Sequence, residues 1–269
     1  MTGELWACPY CHLVLRDAGV CTDCARTFPQ CNGLPDLRVP DEMARRLAAQ
    51  LRTWQEVNRQ LAMWRRRRTP AGRASGEENL AALLQWVKCS EGPLADIGCK
   101  DGRLAQHFPR LSYYGIDPYV QLPAGEGVAW GTAEFLPLAD AAFAQACSLA
   151  TLDYFLDPAA AMAEVKRILR PGGVFWGCVG LWPDDYAVMY DARRAYLRSL
   201  TRRTLTLAES PRLLYKHWRR FMLMPRMYMS YFTEATLRAL LAREFAGLRL
   251  TTRAYDGGTV AWFAARKEA

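Results

Sequence analysis

Residues 93–118 constrain this chain more than any other stretch. An apolar run, Pro93-Leu-Ala-Asp96, ends on an acid. Two glycines, Gly98 and Gly102, mark the turn that follows, and a helical run passes through Leu104 and Phe108. A second apolar run ends on Asp117. Strand, glycine turn, helix, strand and acid, in that order, read as the first half of a nucleotide-binding α/β sheet. Gly98 lets the backbone turn tightly beneath a ligand, and Gly102 lets the helix start close to the sheet. Asp117, at the tip of the second strand, can accept hydrogen bonds from both hydroxyls of a ribose.

The stretch resembles motif I of the class I S-adenosylmethionine (SAM) methyltransferases, Asp/Glu-x-Gly-x-Gly-x-Gly. Asp96 supplies the acid, and Gly98 and Gly102 the outer glycines. Lys100 stands where the family has its middle glycine. A lysine there either meets the cofactor's carboxylate or obstructs the site, and the pattern leaves both open. A site for NAD is the weaker reading, because the spacing Gly-x-Gly-x-x-Gly is absent.

The resemblance continues downstream. Val128-Ala-Trp130 reads as a short strand. Gly131-Thr-Ala-Glu-Phe-Leu-Pro-Leu-Ala-Asp-Ala-Ala-Phe143 is similar to a signature of the superfamily that includes the quinone-biosynthesis C-methyltransferases. Thr132 occupies the position of that family's acid near the adenine amino group. Ala133 and Glu134 keep the pattern, and Ala144 replaces a second acid. Residues 143–152 are a continuous apolar run, expected as a fourth strand in a doubly covered sheet. Leu152-Asp-Tyr-Phe-Leu-Asp-Pro158 resembles the family loop Leu-x-His-x-x-Asp-Pro, with Tyr154 for the histidine. A helix is expected from Pro158 to Arg170, with Ala161, Met162, Val165, Ile168 and Leu169 inward. Arg170-Pro-Gly-Gly173 resembles the family's turn into a fifth strand at 174–180. Phe232 and Thr233 resemble a later helix entry, with Thr233 as its cap. Residues 247–255 and 259–265 read as a final antiparallel pair joined at Asp256-Gly-Gly. The expected fold is therefore a Rossmann-like class I methyltransferase sheet, mostly parallel, with an antiparallel last strand. The resemblance implies that Asp96, Gly98, Lys100, Gly102, Asp117, Thr132, Ala133 and Glu134 hold the cofactor. Asp153, Tyr154 and His217 are the candidates for aiding catalysis.

The N-terminus carries a separate signal. Cys8-Pro-Tyr-Cys11 and Cys21-Thr-Asp-Cys24 are two Cys-x-x-Cys knuckles that can place four thiolates round one structural Zn²⁺. So short a segment cannot bury its own core, so metal would supply its folding energy. His12 and Cys31 lie near but do not fit the paired knuckles. Residues 26–38 resemble the tail of zinc ribbons found in methyltransferase activator subunits and at the N-termini of some methyltransferases. The expected layout is a zinc ribbon at 1–40, a helical arm and linker at 41–76, and a SAM-binding domain at 77–269 with a lid insertion at 181–232. Met43, Leu47, Leu51, Trp54, Val57, Leu61 and Trp64 share one face of the arm. A second helix is expected over 77–92.

Nine cysteines, four of them in metal spacing, argue for a reducing cytoplasm rather than a disulfide scaffold. No apolar run suffices for stable membrane insertion, and no signal peptide is expected. The Arg- and Ala-rich composition would suit a GC-rich bacterial genome. The net charge of +8 is uneven. Residues 41–76 carry nine Arg against three acids, and residues 181–232 ten Arg/Lys against four, so each stretch is +6 and the remainder is −4 (8 − 12). Basic accessory segments suit RNA, an anionic surface or an acidic substrate as well as plain solvated helix faces.

Three functions follow from these features. The first is methyl transfer to a small molecule, such as a natural product or other secondary metabolite, through a Met-rich lid such as 221–229. The second is methylation of RNA, docked through the zinc ribbon and the arginine runs, Arg65–Arg68 among them; some rRNA guanine methyltransferases carry an N-terminal zinc module. The third is a non-catalytic methyltransferase-like protein, which Lys100, Thr132 and Ala144 would explain.

Overall fold

The computed structural model describes residues 5–15, 19–42, 45, 70–88, 91–121, 123–182, 229–255 and 258–268. Most of the helical arm with Arg65–Arg68, nearly all of the lid insertion, and His217 lie outside the described residues.

Seven strands form the main sheet. β3 (Leu94–Ile97), β4 (Tyr113–Asp117), β5 (Val128–Trp130), β6 (Phe143–Leu149) and β7 (Leu169–Leu181) are parallel, and the spatial order is β5-β4-β3-β6-β7-β9-β8. β8 (Ala246–Tyr255) and β9 (Gly258–Arg266) form a hairpin, and β9 alone runs against the rest. Strand order reverses between β3 and β6, and ligands of open α/β sheets bind outside the carboxyl ends of strands at such a point.

The sheet is covered on both faces, which is why its strands are apolar without alternation. On one face α1 (Pro70–Val87) packs Leu83 and Val87 against Leu94, Trp176 and Trp262. On the other, α2 (Pro158–Ile168) buries Ala161, Met162, Val165 and Ile168 completely, and α3 (Glu234–Ala242) buries Leu237 and Leu241. Asp157 caps α2, its Oδ1 accepting from Ala159 and Ala160 N–H at 3.1 and 3.0 Å. Thr233 caps α3 in a reciprocal box with Thr236.

Several boundaries differ from expectation. Residues 70–76, read as a linker, are the first turns of α1, where a leading proline is favourable; the helix also ends at Val87 rather than 92. The run through Leu104 is a single 3₁₀ segment, Arg103–His107, because Pro109 disfavours helix at Phe108. β7 begins at Leu169, with Pro171 and Gly173 carried in a bulge opposite Phe143–Gln145.

The N-terminal segment is built onto this sheet. β1 (Gln30–Cys31) and β2 (Leu34–Pro35) form a small hairpin. Asp36 then pairs in parallel with Trp130 of edge strand β5, and Leu37 N–H donates to the Trp130 carbonyl at 2.8 Å. Trp6 bridges Leu138 and packs edge-on to Tyr114. Trp6, Cys8, Cys21, Phe28 and Leu37 thus share one core with the sheet.

Candidate functional site

A cleft opens at the carboxyl ends of β3, β4 and β5, lined by Gly98, Asp117, Thr132, Ala133, Glu134 and Tyr154, with Ile97, Thr151 and Phe155 among its other walls. Six of the residues proposed from sequence therefore meet in one place. Gly98 takes φ 85°, and a Cβ there would lie 2.5 Å from Thr151 Oγ1, so the position tolerates only glycine. Thr151 is held in turn by the Ile97 carbonyl at 3.0 Å and by Ser148 Oγ at 2.7 Å. Sequence reading missed Thr151. A polar residue just past a strand end at the switch point was the available signal.

Asp117 is 8% exposed. Its Oδ2 accepts from Lys100 N–H at 2.9 Å and its Oδ1 from Tyr119 N–H at 2.7 Å. A carboxylate at a strand tip has the acceptor chemistry that ligand hydroxyls require. Lys100 itself has φ 64° and is not among the residues lining the cleft. Gly102, at φ 75°, lies behind the turn, its missing side chain giving room to Val128.

Asp96 is not in the cleft lining. It is buried, accepting from Tyr113 Oη–H at 2.5 Å and from the Cys147 thiol at 3.5 Å. Burial pushes its carboxyl up to about 6 against the pull of those two donors. Glu134 lines the cleft while its Oε1 accepts from Leu156 and Asp157 N–H at 2.8 and 3.3 Å, tying down the loop that carries Tyr154. Burial raises it to about 7. Asp153 is outside the lining; burial raises it to about 7, and its Oδ1 has no hydrogen-bond partner among the described residues. Thr132, 2% exposed and in the cleft wall, has an Oγ1 that is also without a partner among the described residues. A buried hydroxyl left this way costs stability unless a ligand or water satisfies it.

Arg38 reaches the same region from the N-terminal segment. Its guanidinium pairs with Asp36 at 2.5 Å, lies 4.9 Å over the Trp130 ring, and donates to the Pro118 carbonyl at 3.4 Å, next to Asp117.

The four cysteine Sγ atoms of Cys8, Cys11, Cys21 and Cys24 lie within 4.8 Å of one another. The Cys8–Cys24 and Cys11–Cys21 separations are 3.6 and 3.4 Å, too long for disulfides and near the roughly 3.8 Å edge of a tetrahedron with 2.3 Å zinc–sulfur bonds. His12 and Ala25, each following the second cysteine of a pair, both take left-handed φ values of 62° and 54°. The two knuckles thus share one backbone shape. Burial opposes ionisation of Cys24, but Arg26 beside it outweighs this and holds the thiol down at about 6, whereas burial pushes Cys8 up to about 12. Neither His12 nor Cys31 belongs to the cluster.

Residues 95–177, from β3 to β7, match the family model described as a methyltransferase domain. No curated protein sequence matches the chain. Among solved structures, the 1,6-didemethyltoxoflavin-N1-methyltransferase of Burkholderia thailandensis, with bound 1,6-didemethyltoxoflavin and S-adenosylhomocysteine, is 17% identical with a TM-score of 0.51, covering 90% of this chain and 95% of that one. A SAM-dependent methyltransferase of Thermotoga maritima, described as a possible histamine N-methyltransferase, is 20% identical with a TM-score of 0.50, covering 80% of this chain and all of that one. The fold is that of the class I methyltransferases.

Proposed function

We propose that the chain is a SAM-dependent methyltransferase acting on a small-molecule acceptor and carrying one structural zinc ion. One observation carries the reading. A strand-tip acid, Asp117, is held by two main-chain N–H groups beside a glycine turn, in a cleft whose wall includes Thr132, its Oγ1 without a partner among the described residues.

The residues present suit the adenosyl cofactor. Gly98 would allow close backbone approach, Asp117 could accept from the ribose hydroxyls, and Thr132 and Ala133 would be the residues toward the base. Thr132 is short and neutral where an acid is usual, and its hydroxyl can exchange a hydrogen bond with a ring nitrogen or amino group. When bound, SAM supplies an electrophilic methyl whose sulfur keeps the electron pair of the broken C–S bond, so the protein's contribution is alignment. Glu134 anchors the loop behind Tyr154, which lines the cleft. Asp153 is at once buried and outside the cleft, which favours a structural role over that of a base. The four-cysteine cluster suits a closed tetrahedral Zn²⁺.

The small-molecule reading is in keeping with the Burkholderia neighbour, whose bound ligand is small. The RNA reading draws on the zinc ribbon and on the arginine runs, of which Arg65–Arg68 lie outside the described residues. Among the described residues no helix is long and apolar enough to cross a membrane.

Titration calorimetry with S-adenosylhomocysteine tests the reading. The expected affinity is micromolar, about −8 kcal/mol. Absence of binding to the zinc-loaded protein would overturn it.

A further inference from the structure

A second cavity, of about 310 Å³, lies between α1 and the sheet. Leu80 and Leu83 of α1, Leu149 of β6, Gly180 of β7 and Trp262 of β9 form its walls, and Arg253 of β8 stands in its lining. Its place in the fold is informative. Leu149 is the last residue of β6, Gly180 the last but one of β7, and Arg253 two residues from the end of β8. β9 runs the other way, so its early residues lie here too. The cavity therefore sits at the same end of the sheet as Asp117. It also shares a wall with the cofactor cleft. Ala150 lines the cavity and Thr151, the next residue, lines the cleft. The Ala150 N–H donates to the Cys178 carbonyl at 2.8 Å and fixes this divide.

The lining has a definite chemistry. It is mostly aliphatic and indole surface, and burial pushes the Cys178 thiol up to about 11, so that side chain is a neutral, soft wall. The exposed Arg253 guanidinium lies 4.2 Å over the Trp262 ring and has no acidic partner among the described residues. Such a stacked cation keeps its fork of N–H donors for a planar anion. A Cβ built at Gly180 meets no atom of the described residues within 4 Å, which leaves room among them beside this strand position. The volume is at the small end of ligand pockets, roughly 300–1,000 Å³, which suits one or two rings.

We infer that this cavity seats the methyl acceptor, and that the acceptor is a ring-sized apolar molecule bearing one anionic group directed at Arg253. The inference rests on the methyltransferase reading above.

Three probes of one shape and different charge test it on the full zinc-loaded chain: indole-3-carboxylate, indole and tryptamine, each titrated with S-adenosylhomocysteine present. The expected order of affinity is anion, then neutral, then cation. Gly180→Leu should fill the open space and weaken indole-3-carboxylate by about tenfold or more, with S-adenosylhomocysteine affinity unchanged. Arg253→Glu, a substitution on an exposed side chain, should invert the order and favour tryptamine, and it decides the matter even if Gly180→Leu does not fold. The cavity is not the acceptor seat if wild type binds none of the probes, if charge has no influence, or if both variants bind as wild type does. S-adenosylhomocysteine separates the two readings. Failure of that ligand to bind overturns the methyltransferase reading and this one with it, whereas its binding without any probe response overturns this one alone.

Discussion

The main-chain N–H of Lys100 donates to Oδ2 of Asp117 across 2.9 Å, and Lys100 adopts φ 64° where it does so. The turn after β3 and the tip of β4 are thereby one unit. The backbone shape that the family builds with glycine is reached here with a lysine, at a cost in left-handed strain. The lysine amide meets the strand-tip acid directly.

Asp117→Ala should weaken S-adenosylhomocysteine binding by about tenfold or more, since a hydrogen bond to a charged group is worth roughly 1.5–3 kcal/mol. Two amide donors, those of Lys100 and Tyr119, would lose their acceptor in the same variant. Calorimetry measures the loss; an unchanged affinity would remove Asp117 from the site.

Lys100→Gly should bind S-adenosylhomocysteine comparably to wild type. Its stability should stay within about 1 kcal/mol, because relief of left-handed strain is offset by the freer unfolded chain. Lys100→Val should lose on the order of 1–3 kcal/mol, as a β-branched residue is poorly tolerated at positive φ. Urea unfolding of the three proteins measures this. Binding that appears only in Lys100→Gly would show instead that the lysine blocks the cleft, and would favour the non-catalytic alternative.

Metal analysis should find about one zinc per chain, and Cys21→Ser should abolish it. Because Cys8, Cys21 and Leu37 share a core with the sheet, and residues 36–37 pair with β5, the loss should lower the melting temperature of the whole protein and not only disorder the N-terminus. A metal-free protein with wild-type melting behaviour would rule the zinc out as structural.

Asp153 gives a pH signature. Its folded value, about 7, lies above the ordinary 3.8. The folded state thus keeps a proton that the unfolded chain releases. The stability this contributes is complete below about pH 4 and is lost as pH rises through about 7. Asp96 and Glu134 shift in the same direction, so the variant must be compared with wild type. Asp153→Asn should be the more stable of the two at pH 8 relative to their difference at pH 5. Parallel pH profiles would mean that Asp153 ionises freely in the folded protein.

Particular residues show how far the sequence could be read. Gly98, Asp117, Thr132, Ala133, Glu134 and Tyr154 were found because each lies at the end of an apolar run or in a motif of fixed spacing, and all six line one cleft. Asp96 belongs to the same motif but turns into the interior, where Tyr113 and Cys147 hold it. Alternation in a strand buried on both faces carries no polarity signal to tell those two destinations apart.

Local chemistry determined a great deal by itself. Apolar runs closed by acids, prolines at helix starts, threonine and aspartate caps, and paired cysteines each act within a few residues, so the sequence specifies the strands, α2, α3 and the four-cysteine spacing. Tertiary structure decided what depends on residues distant in the chain. It docked Asp36 and Leu37 on Trp130 and brought Arg38 to Pro118 across 80 positions. It left Thr132 Oγ1 without a partner among the described residues, and it enclosed an apolar cavity between α1 and the ends of four strands. These outcomes follow from how faces pack once the sheet has formed, and no local pattern encodes which distant surface a given side chain will meet.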